Sequence, residues 1–201
     1  CGTVASAAAV NHCLSTPSPH FCAQELDQAV HTAVSIHTEQ KGATTLAAAW
    51  LDSTGQGQLL HVGDCRIYHW QKAHHQLQAL TVDQTFTLLG ELPPRHVPPD
   101  NPARMLGLGQ MQAAQHRQCT HRQPVHLDNG DMLLLCSDGL HGFVPDHLLA
   151  QLCQYASLGH MPDTATLMHL CHRMLDTAMD RGSDDDISLL LLRYLPSQRG
   201  I

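Results

Sequence analysis

The stretch Gly130–Gly139, with the sequence GDMLLLCSDG, decides how the rest of the chain is interpreted. Its centre, Met132–Cys136, is a run of five apolar residues bounded by polar turn residues, which favours a buried strand over a helix. The chain then presents Asp138 just beyond the strand, and Gly139 allows a sharp turn there. A carboxylate at a strand end can bind a hard cation, although an ordinary Asp-Gly turn would explain this stretch alone.

A second acidic stretch, RGSDDDIS at Arg181–Ser188, lies just before the last apolar run of the chain. Its three adjacent carboxylates, Asp184, Asp185 and Asp186, repel one another, so a bound cation or strong solvation is needed to hold them in place. A solvated acidic turn explains this stretch equally well when it is taken alone. Taken together, the strand that ends in SDG and the strand that follows GSDDDIS predict two strand ends that converge on a metal ion.

These two stretches resemble the late motifs of the metal-dependent type 2C serine/threonine protein phosphatases, the PPM family. One of the upstream motifs, LTxDH, is similar to residues 80–84, where Gln84 stands in place of the family's histidine. The resemblance runs from residue 4 to about residue 192 in the family's order, and six ordered motifs are specific although each is weak alone. The four upstream segments are similar to the family's GTT, VGDSRAY, LTxDH and ALG motifs: Gly42–Leu46 (GATTL), Val62–Tyr68 (VGDCRIY), Leu80–Asp83 (LTVD) and Leu106–Gly109 (LGLG).

The resemblance implies an α+β fold, a four-layer α-β-β-α sandwich of two antiparallel sheets flanked by helices. It assigns residues 1–195 to one phosphatase domain and residues 196–201 to a tail, which agrees with a length of 201 residues. In the family, an arginine-containing motif and a DGxGG motif precede the segment that Gly2–Ser6 resembles. We therefore expect the front portion of the domain to be missing from this chain. Periodicity alone supports only a mixed α+β domain.

The resemblance also implies candidate metal ligands. Asp138 and Asp185 are expected to bind the second of two divalent ions, Mn²⁺ or Mg²⁺, with Asp186 at the position of the family's asparagine. Asp83 is a candidate ligand of a third, weaker metal site, although local sequence favours a role as the cap of the short helix that follows it. Two such ions share a water and lower its pKa, so that hydroxide can attack phosphorus near neutral pH. Carboxylate and water ligands suit Mg²⁺ and Mn²⁺ better than Zn²⁺.

The segment from Gly90 to Ala103 contains five prolines, which exclude a regular helix or strand. It resembles the variable flap near the active site of bacterial members of the family, and such loops often contact substrate. Arg95 and Arg104 are therefore weak candidates for binding a phosphopeptide. Solvated loop charges are an equally good interpretation of both arginines.

The function implied by the resemblance is metal-dependent hydrolysis of phosphoserine and phosphothreonine in proteins, in opposition to a serine/threonine kinase. The expected partners are phosphorylated protein substrates and a cognate kinase. The first alternative is a catalytically inactive pseudophosphatase that acts as a binding or regulatory module. The second is an unrelated metal-dependent hydrolase of small phosphoesters, which the order of the motifs disfavours.

Composition further limits the functions that the chain can have. A net charge of −7, with only 14% charged residues, disfavours a nucleic-acid-binding module, which would need a basic face. No stretch of 18 apolar residues occurs, so we predict no membrane span. The eight cysteines form no CxxC pair, which disfavours a zinc ribbon and is compatible with a reducing compartment. We expect a cytoplasmic monomer.

Overall fold

The computed structural model describes residues 2–16, 22–37, 42–108, 120–157 and 164–196. Within these ranges no helix is both long enough and apolar enough to cross a membrane. In chain order the helices and strands are α1 (Gly2–Ser15), α2 (Ala23–His37), β1 (Leu46–Leu51), β2 (Gln56–Val62), β3 (Arg66–Gln71), β4 (Gln76–Ala79), α3 (Phe86–Leu89), β5 (His121–His126), β6 (Met132–Cys136), α4 (Asp138–His141), α5 (Asp146–Ser157), α6 (Thr164–Asp180) and β7 (Leu189–Arg193).

The chain divides into two compact units. The first comprises Cys1–Trp50, Gln58–Cys65 and Asp83–Pro124, and the second comprises Leu51–Gly57, Arg66–Val82 and Val125–Ile201. A three-stranded sheet has the order β1-β2-β5, and a four-stranded antiparallel sheet has the order β4-β3-β6-β7. The predicted combination of helices with two antiparallel sheets is therefore observed.

The first unit packs α1 and α2 against strands β1 and β2. Small residues of α1 allow the two helices to approach closely, and leucine and valine side chains fill the remaining space. Each such side chain stabilises the fold by about 1.5–3 kcal/mol when it is fully buried. The buried members of this core are Ala5, Ala9, Leu26, Val30, Val34, Leu46, Leu60, Val62 and Leu106.

Apolar residues that recur every three or four positions predict a helix over residues 21–40 with His37 on its apolar face, and α2 differs from this prediction on that face. The repeat of apolar residues places Leu26, Val30 and Val34 in the core, but His37, which we expected at the core edge, is exposed. Asp27 is buried instead, because its carboxylate accepts a hydrogen bond from the backbone N–H of Gly107 at 2.6 Å. A buried carboxylate needs such a donor, and the donor comes from a residue 80 positions away.

The second unit packs α5 and α6 against the four-stranded sheet. Strand β6 lies in the middle of this sheet, with Leu134 opposite Tyr68 of β3 and Leu191 of β7. Four of its five residues are buried, which explains its continuous apolar sequence and confirms the predicted core strand. The buried members of this core are Tyr68, Trp70, Met132, Leu134, Cys136, Leu140, Val144, Leu149, Cys153, Ala156, Leu170, Met174 and Ala178.

Two short helices differ from the local sequence interpretation, one in its cap and the other in its presence. Helix α3 begins after Thr85, whose hydroxyl accepts a hydrogen bond from the N–H of Leu88 at 3.2 Å. Thr85 is thus the cap, and the interpretation of Asp83 as the cap is wrong. The SDG segment is also more than a turn, because Asp138 opens the four-residue helix α4.

Candidate metal-binding site

The two predicted strand ends lie side by side in the second unit. Strands β6 and β7 pair antiparallel, with Cys136 opposite Leu189. The pairing continues through Ser137, whose N–H donates to the carbonyl of Ser188 at 2.9 Å. The Ser137 hydroxyl accepts from the N–H of Ser188 at 3.0 Å and donates to the carbonyl of Asp186 at 3.1 Å. Ser137 therefore ties the SDG segment to the GSDDDIS segment.

Gly139 makes this close approach possible. A Cβ at this position would lie 2.7 Å from the carbonyl oxygen of Asp186, which is too close for any other residue. The Gly139 carbonyl also accepts a hydrogen bond from the Ser183 hydroxyl at 2.9 Å. Its φ is not in the left-handed region. The glycine is required for close packing of two backbones, whereas the sequence had suggested a sharp turn.

The side chains of Asp138 and Asp185 are held in the same way. Oδ1 of Asp138 accepts from the N–H of Gly139 at 3.0 Å, and Oδ1 of Asp185 accepts from the N–H of Asp186 at 2.7 Å. Both aspartates are exposed. Within the described ranges, Oδ2 of each has no hydrogen-bond partner. Each carboxylate thus fixes the backbone with one oxygen and has the other available to a ligand.

The chemistry of these donors fits a hard divalent ion. Two carboxylates with uncommitted oxygens suit Mg²⁺ or Mn²⁺, and Mg²⁺ usually binds through one or two carboxylates and keeps several waters. Across the described part of the chain, however, no three His, Cys, Asp or Glu side chains are grouped as metal ligands would be. The described side chains therefore supply one uncommitted carboxylate oxygen from each segment, and the roles of Asp138 and Asp185 stay predictions.

Asp83 lies in the first unit, where it is 8% exposed. The next residue, Gln84, is buried and makes three hydrogen bonds with backbone groups. Its side-chain oxygen accepts from the N–H of Gly63 at 2.8 Å, and its own N–H donates to the Gly63 carbonyl at 2.8 Å. Its carbonyl accepts from the N–H of Ala103 at 2.8 Å. Gln84 thereby fixes the backbone beside Asp83, a role that its long-range partners hid from the sequence analysis.

His61, also in the first unit, is completely buried on β2. Among the described residues, neither ring nitrogen has a hydrogen-bond partner, although the backbone of Gly63 and Cys65 lies nearby. Burial lowers the pKa of His61 to about 4, and the negative charge of Asp83 opposes this only in part. The 17 histidines are spread along the sequence, which predicts surface positions for most of them. His61, however, lies inside the apolar run 59–62, and this position indicates burial.

Arg95 in the flap and Arg104 just after it differ in their environment. Arg104 donates from both terminal nitrogens to the Glu91 carboxylate, and this lowers the pKa of Glu91. Arg95 is exposed. The flap itself has neither helix nor strand from 91 to 103, as its prolines predicted. The assignment of either arginine to substrate binding stays a prediction.

The chain matches the family described as Stage II sporulation protein E (SpoIIE) over residues 3–195. Among curated protein sequences there is no match.

Solved structures of bacterial proteins, among them serine/threonine phosphatases, are similar to this chain. PppA, described as a key regulatory component of T6SS in Pseudomonas aeruginosa, is 21% identical with a TM-score of 0.67, over 94% of this chain and 79% of that one. The serine/threonine phosphatase PstP/Ppp of Mycobacterium tuberculosis is 24% identical with a TM-score of 0.66, over 96% of this chain and 80% of that one. The PstP catalytic domain in complex with two manganese ions is 24% identical with a TM-score of 0.63, over 94% of this chain and 78% of that one.

These similarities confirm the α+β fold class that the resemblance implied. The family match covers nearly the whole chain, including every motif used in the sequence analysis. The chain therefore belongs to the SpoIIE family, and the predicted kinship with the type 2C serine/threonine phosphatases is confirmed.

Proposed function

We propose that this chain removes phosphate from phosphoserine and phosphothreonine in proteins, in a reaction that depends on divalent metal ions. Membership of the SpoIIE family and the phosphatase fold support the proposal. The single observation that carries it is the pairing through Ser137, which places the SDG and GSDDDIS segments side by side. Two adjacent segments that each present an uncommitted carboxylate oxygen are suited to binding a cation.

In this proposal Asp138 and Asp185 hold the divalent ion through their Oδ2 atoms. The manganese ions in the PstP complex support Mn²⁺ as the ion, with Mg²⁺ as the other candidate. A bound ion of this kind supplies an activated water near neutral pH and stabilises the charge that develops on phosphorus oxygens. This ion is the second of the expected pair; the first ion of that pair and a third site at Asp83 are part of the same proposal.

The chain's own groups position the carboxylates. Backbone N–H groups donate to Oδ1 of Asp138 and of Asp185, so neither side chain needs to reorder when its other oxygen binds a ligand. Ser137 fixes the distance between the two backbone segments, and Gly139 permits it. Such preorganisation keeps the entropy cost of binding small.

The substrates and partners follow from the same proposal. Phosphorylated proteins are the substrates, and a serine/threonine kinase supplies them, because a phosphatase of this kind must be preceded by phosphoryl transfer to serine or threonine. The description of PppA as a regulatory component supports a role in signalling. Because Arg104 is paired with Glu91, exposed Arg95 is the better candidate for contact with a phosphopeptide. We further propose a cytoplasmic monomer.

The test is release of phosphate from a phosphothreonine peptide by the natural full-length protein, with and without Mn²⁺. Turnover with Mn²⁺ that stops when EDTA is added would support the proposal. Binding of the phosphopeptide without turnover at any Mn²⁺ concentration would favour the pseudophosphatase. Turnover of nucleotides but not of phosphopeptides would favour the hydrolase of small phosphoesters.

A further inference from the structure

Two cationic side chains meet over the turn that precedes β6, in the second unit. Lys72 directly follows β3 and Arg193 ends β7, and these two strands flank β6 in the sheet. Between them lies Gly130, with a φ of +92°. A Cβ on Gly130 would lie 2.6 Å from Cδ and 3.1 Å from Nζ of Lys72, and 3.4 Å from Nη2 of Arg193, so the glycine leaves room for the Lys72 side chain. Both cations therefore approach the same point, above a backbone that carries no side chain.

Neither cation is paired with a carboxylate of a described residue. Within the described ranges, no Asp or Glu oxygen lies within salt-bridge distance of Lys72 or Arg193. The nearby Asp131 uses its oxygens elsewhere. Its Oδ2 lies 2.8 Å from a ring nitrogen of His69 and accepts from the N–H of Asp128 at 3.1 Å, and its Oδ1 accepts from the N–H of Lys72 at 2.9 Å.

The guanidinium of Arg193 is also partly desolvated. Its Nε is buried and has no hydrogen-bond partner in the described structure. Burial lowers the pKa of Arg193, because the charged form loses contact with water. A partly buried cation with an unmade hydrogen bond is unfavourable unless an anion or acceptor reaches it. An oxyanion is the natural complement, because the planar guanidinium donates to two oxygens of a phosphate or carboxylate at once.

We propose that Lys72 and Arg193 form an anion-binding site for a phosphate or carboxylate group, with Gly130 as its floor. The site is separate from the carboxylate pair, because the five residues of β6 place about 17 Å between the turn at Gly130 and the SDG segment. The charge of Asp131 reduces the local positive potential, so we expect affinity in about the millimolar range. The inference does not depend on the proposed phosphatase activity.

Backbone NMR spectra of the metal-free protein provide the test. Inorganic phosphate is titrated at constant ionic strength, with chloride as the reference. The expected result is saturable shifts of the amide signals of Gly130 and its neighbours. Acetate and a phosphothreonine peptide are titrated in parallel. Tighter binding of acetate would identify carboxylate groups as the preferred ligand, and tighter binding of the peptide would identify phosphoryl groups.

Two variants and a control make the result specific. Lys72→Gln should weaken phosphate binding at least about fivefold, since it removes one of two charges on the ligand. Arg193→Gln should abolish it, and because Arg193 is partly buried, the exposed Lys72 variant decides the matter if Arg193→Gln does not fold. Arg173→Gln removes an exposed cation from α6 and should leave binding unchanged.

Absence of saturable shifts at Gly130, or equal weakening by Lys72→Gln and Arg173→Gln, would overturn the proposal. Because metal and substrate turnover are not involved, failure here would leave the phosphatase proposal intact. Loss of phosphatase activity in other experiments would likewise leave this site untouched.

Discussion

The two acidic regions of the molecule hold their carboxylates in different ways. In the second unit, Asp138 and Asp185 are exposed, and each has one oxygen bound to the next backbone N–H and one without a partner among described residues. In the first unit, Asp83 is buried near the neutral ring of His61 and precedes Gln84, which makes three hydrogen bonds with backbone groups.

This difference predicts that the exposed aspartates affect ligand binding, whereas the buried groups around Asp83 affect the stability of the fold. Exposed carboxylates contribute little to folding, so substitutions at Asp138 or Asp185 should change ligand binding and leave the folded state intact. Buried polar groups are costly to disturb, so substitutions near Asp83 should change the free energy of unfolding. Each prediction below tests one side of this contrast.

The largest effect is expected at the exposed pair. Asp138→Asn should lower Mn²⁺-dependent phosphatase activity by about 100-fold or more, because loss of a charged ligand removes several kcal/mol of transition-state stabilisation. Its melting temperature should stay close to that of the wild type. Asp185→Asn should behave alike, whereas Asp184→Asn should have a milder effect. Phosphate release and calorimetric Mn²⁺ titration measure both quantities.

Asp180→Asn is the matched control for this series, since Asp180 is an exposed aspartate at the end of α6. Full activity of Asp138→Asn would refute the assignment of that residue as a ligand. If Asp184 were essential and Asp185 dispensable, the ligand would be one residue earlier in the chain than proposed.

His61 should give the buried region a distinct pH dependence. Its pKa is about 4 in the folded state and about 6.5 when unfolded, so the unfolded state binds the proton first as pH falls. The stability associated with neutral His61 is therefore complete above pH 6.5 and is lost progressively between pH 6.5 and 4, by about 3 kcal/mol in all. His61→Leu should reduce this loss, as measured by urea unfolding across that range.

The control for this pH experiment is His37→Asn, which changes an exposed histidine and should leave the slope unaltered. If His61→Leu and the wild type lose stability in parallel, the buried ring is not the group responsible.

The sequence predicted those strands and turns whose conformation is determined by residues close by in the chain. Strand β6 was recognisable because five apolar residues between turn residues are sufficient evidence of a core strand. The convergence of SDG and GSDDDIS was inferred from two motifs and their order. Buried Asp27, by contrast, depends on a donor from Gly107, and the floor at Gly130 depends on Lys72 and Arg193. Such pairings become visible only when distant segments have been placed in space.

Gly139→Ala should reduce both the stability of the fold and the affinity for Mn²⁺. The added methyl group would lie 2.7 Å from the Asp186 carbonyl, so the two segments must move apart. We expect a loss of about 1–3 kcal/mol in the free energy of unfolding, which is usual for overpacking, together with weaker Mn²⁺ binding. Gly2→Ala is the control, because no described atom outside its chain neighbours and its own helix backbone lies within 4 Å of its Cβ position. Unchanged stability and Mn²⁺ affinity in Gly139→Ala would show that the close approach is unimportant.

Substitution of Gln84 should produce the smallest change in the free energy of unfolding. It tests most directly whether polar contacts stabilise the buried region around Asp83. Gln84→Ala leaves the buried N–H of Gly63 without its side-chain acceptor, which should cost about 1–2 kcal/mol of stability. Gln84→Glu retains an acceptor oxygen in nearly the same position, so it should recover part of that stability, although it adds a charge beside Asp83. Chemical unfolding of the three proteins at pH 7 measures the difference. Equal stability of the wild type and Gln84→Ala would mean that the turn at Gly63 is held by backbone bonds alone. In that case the strands would stabilise the buried region without a contribution from the Gln84 side chain.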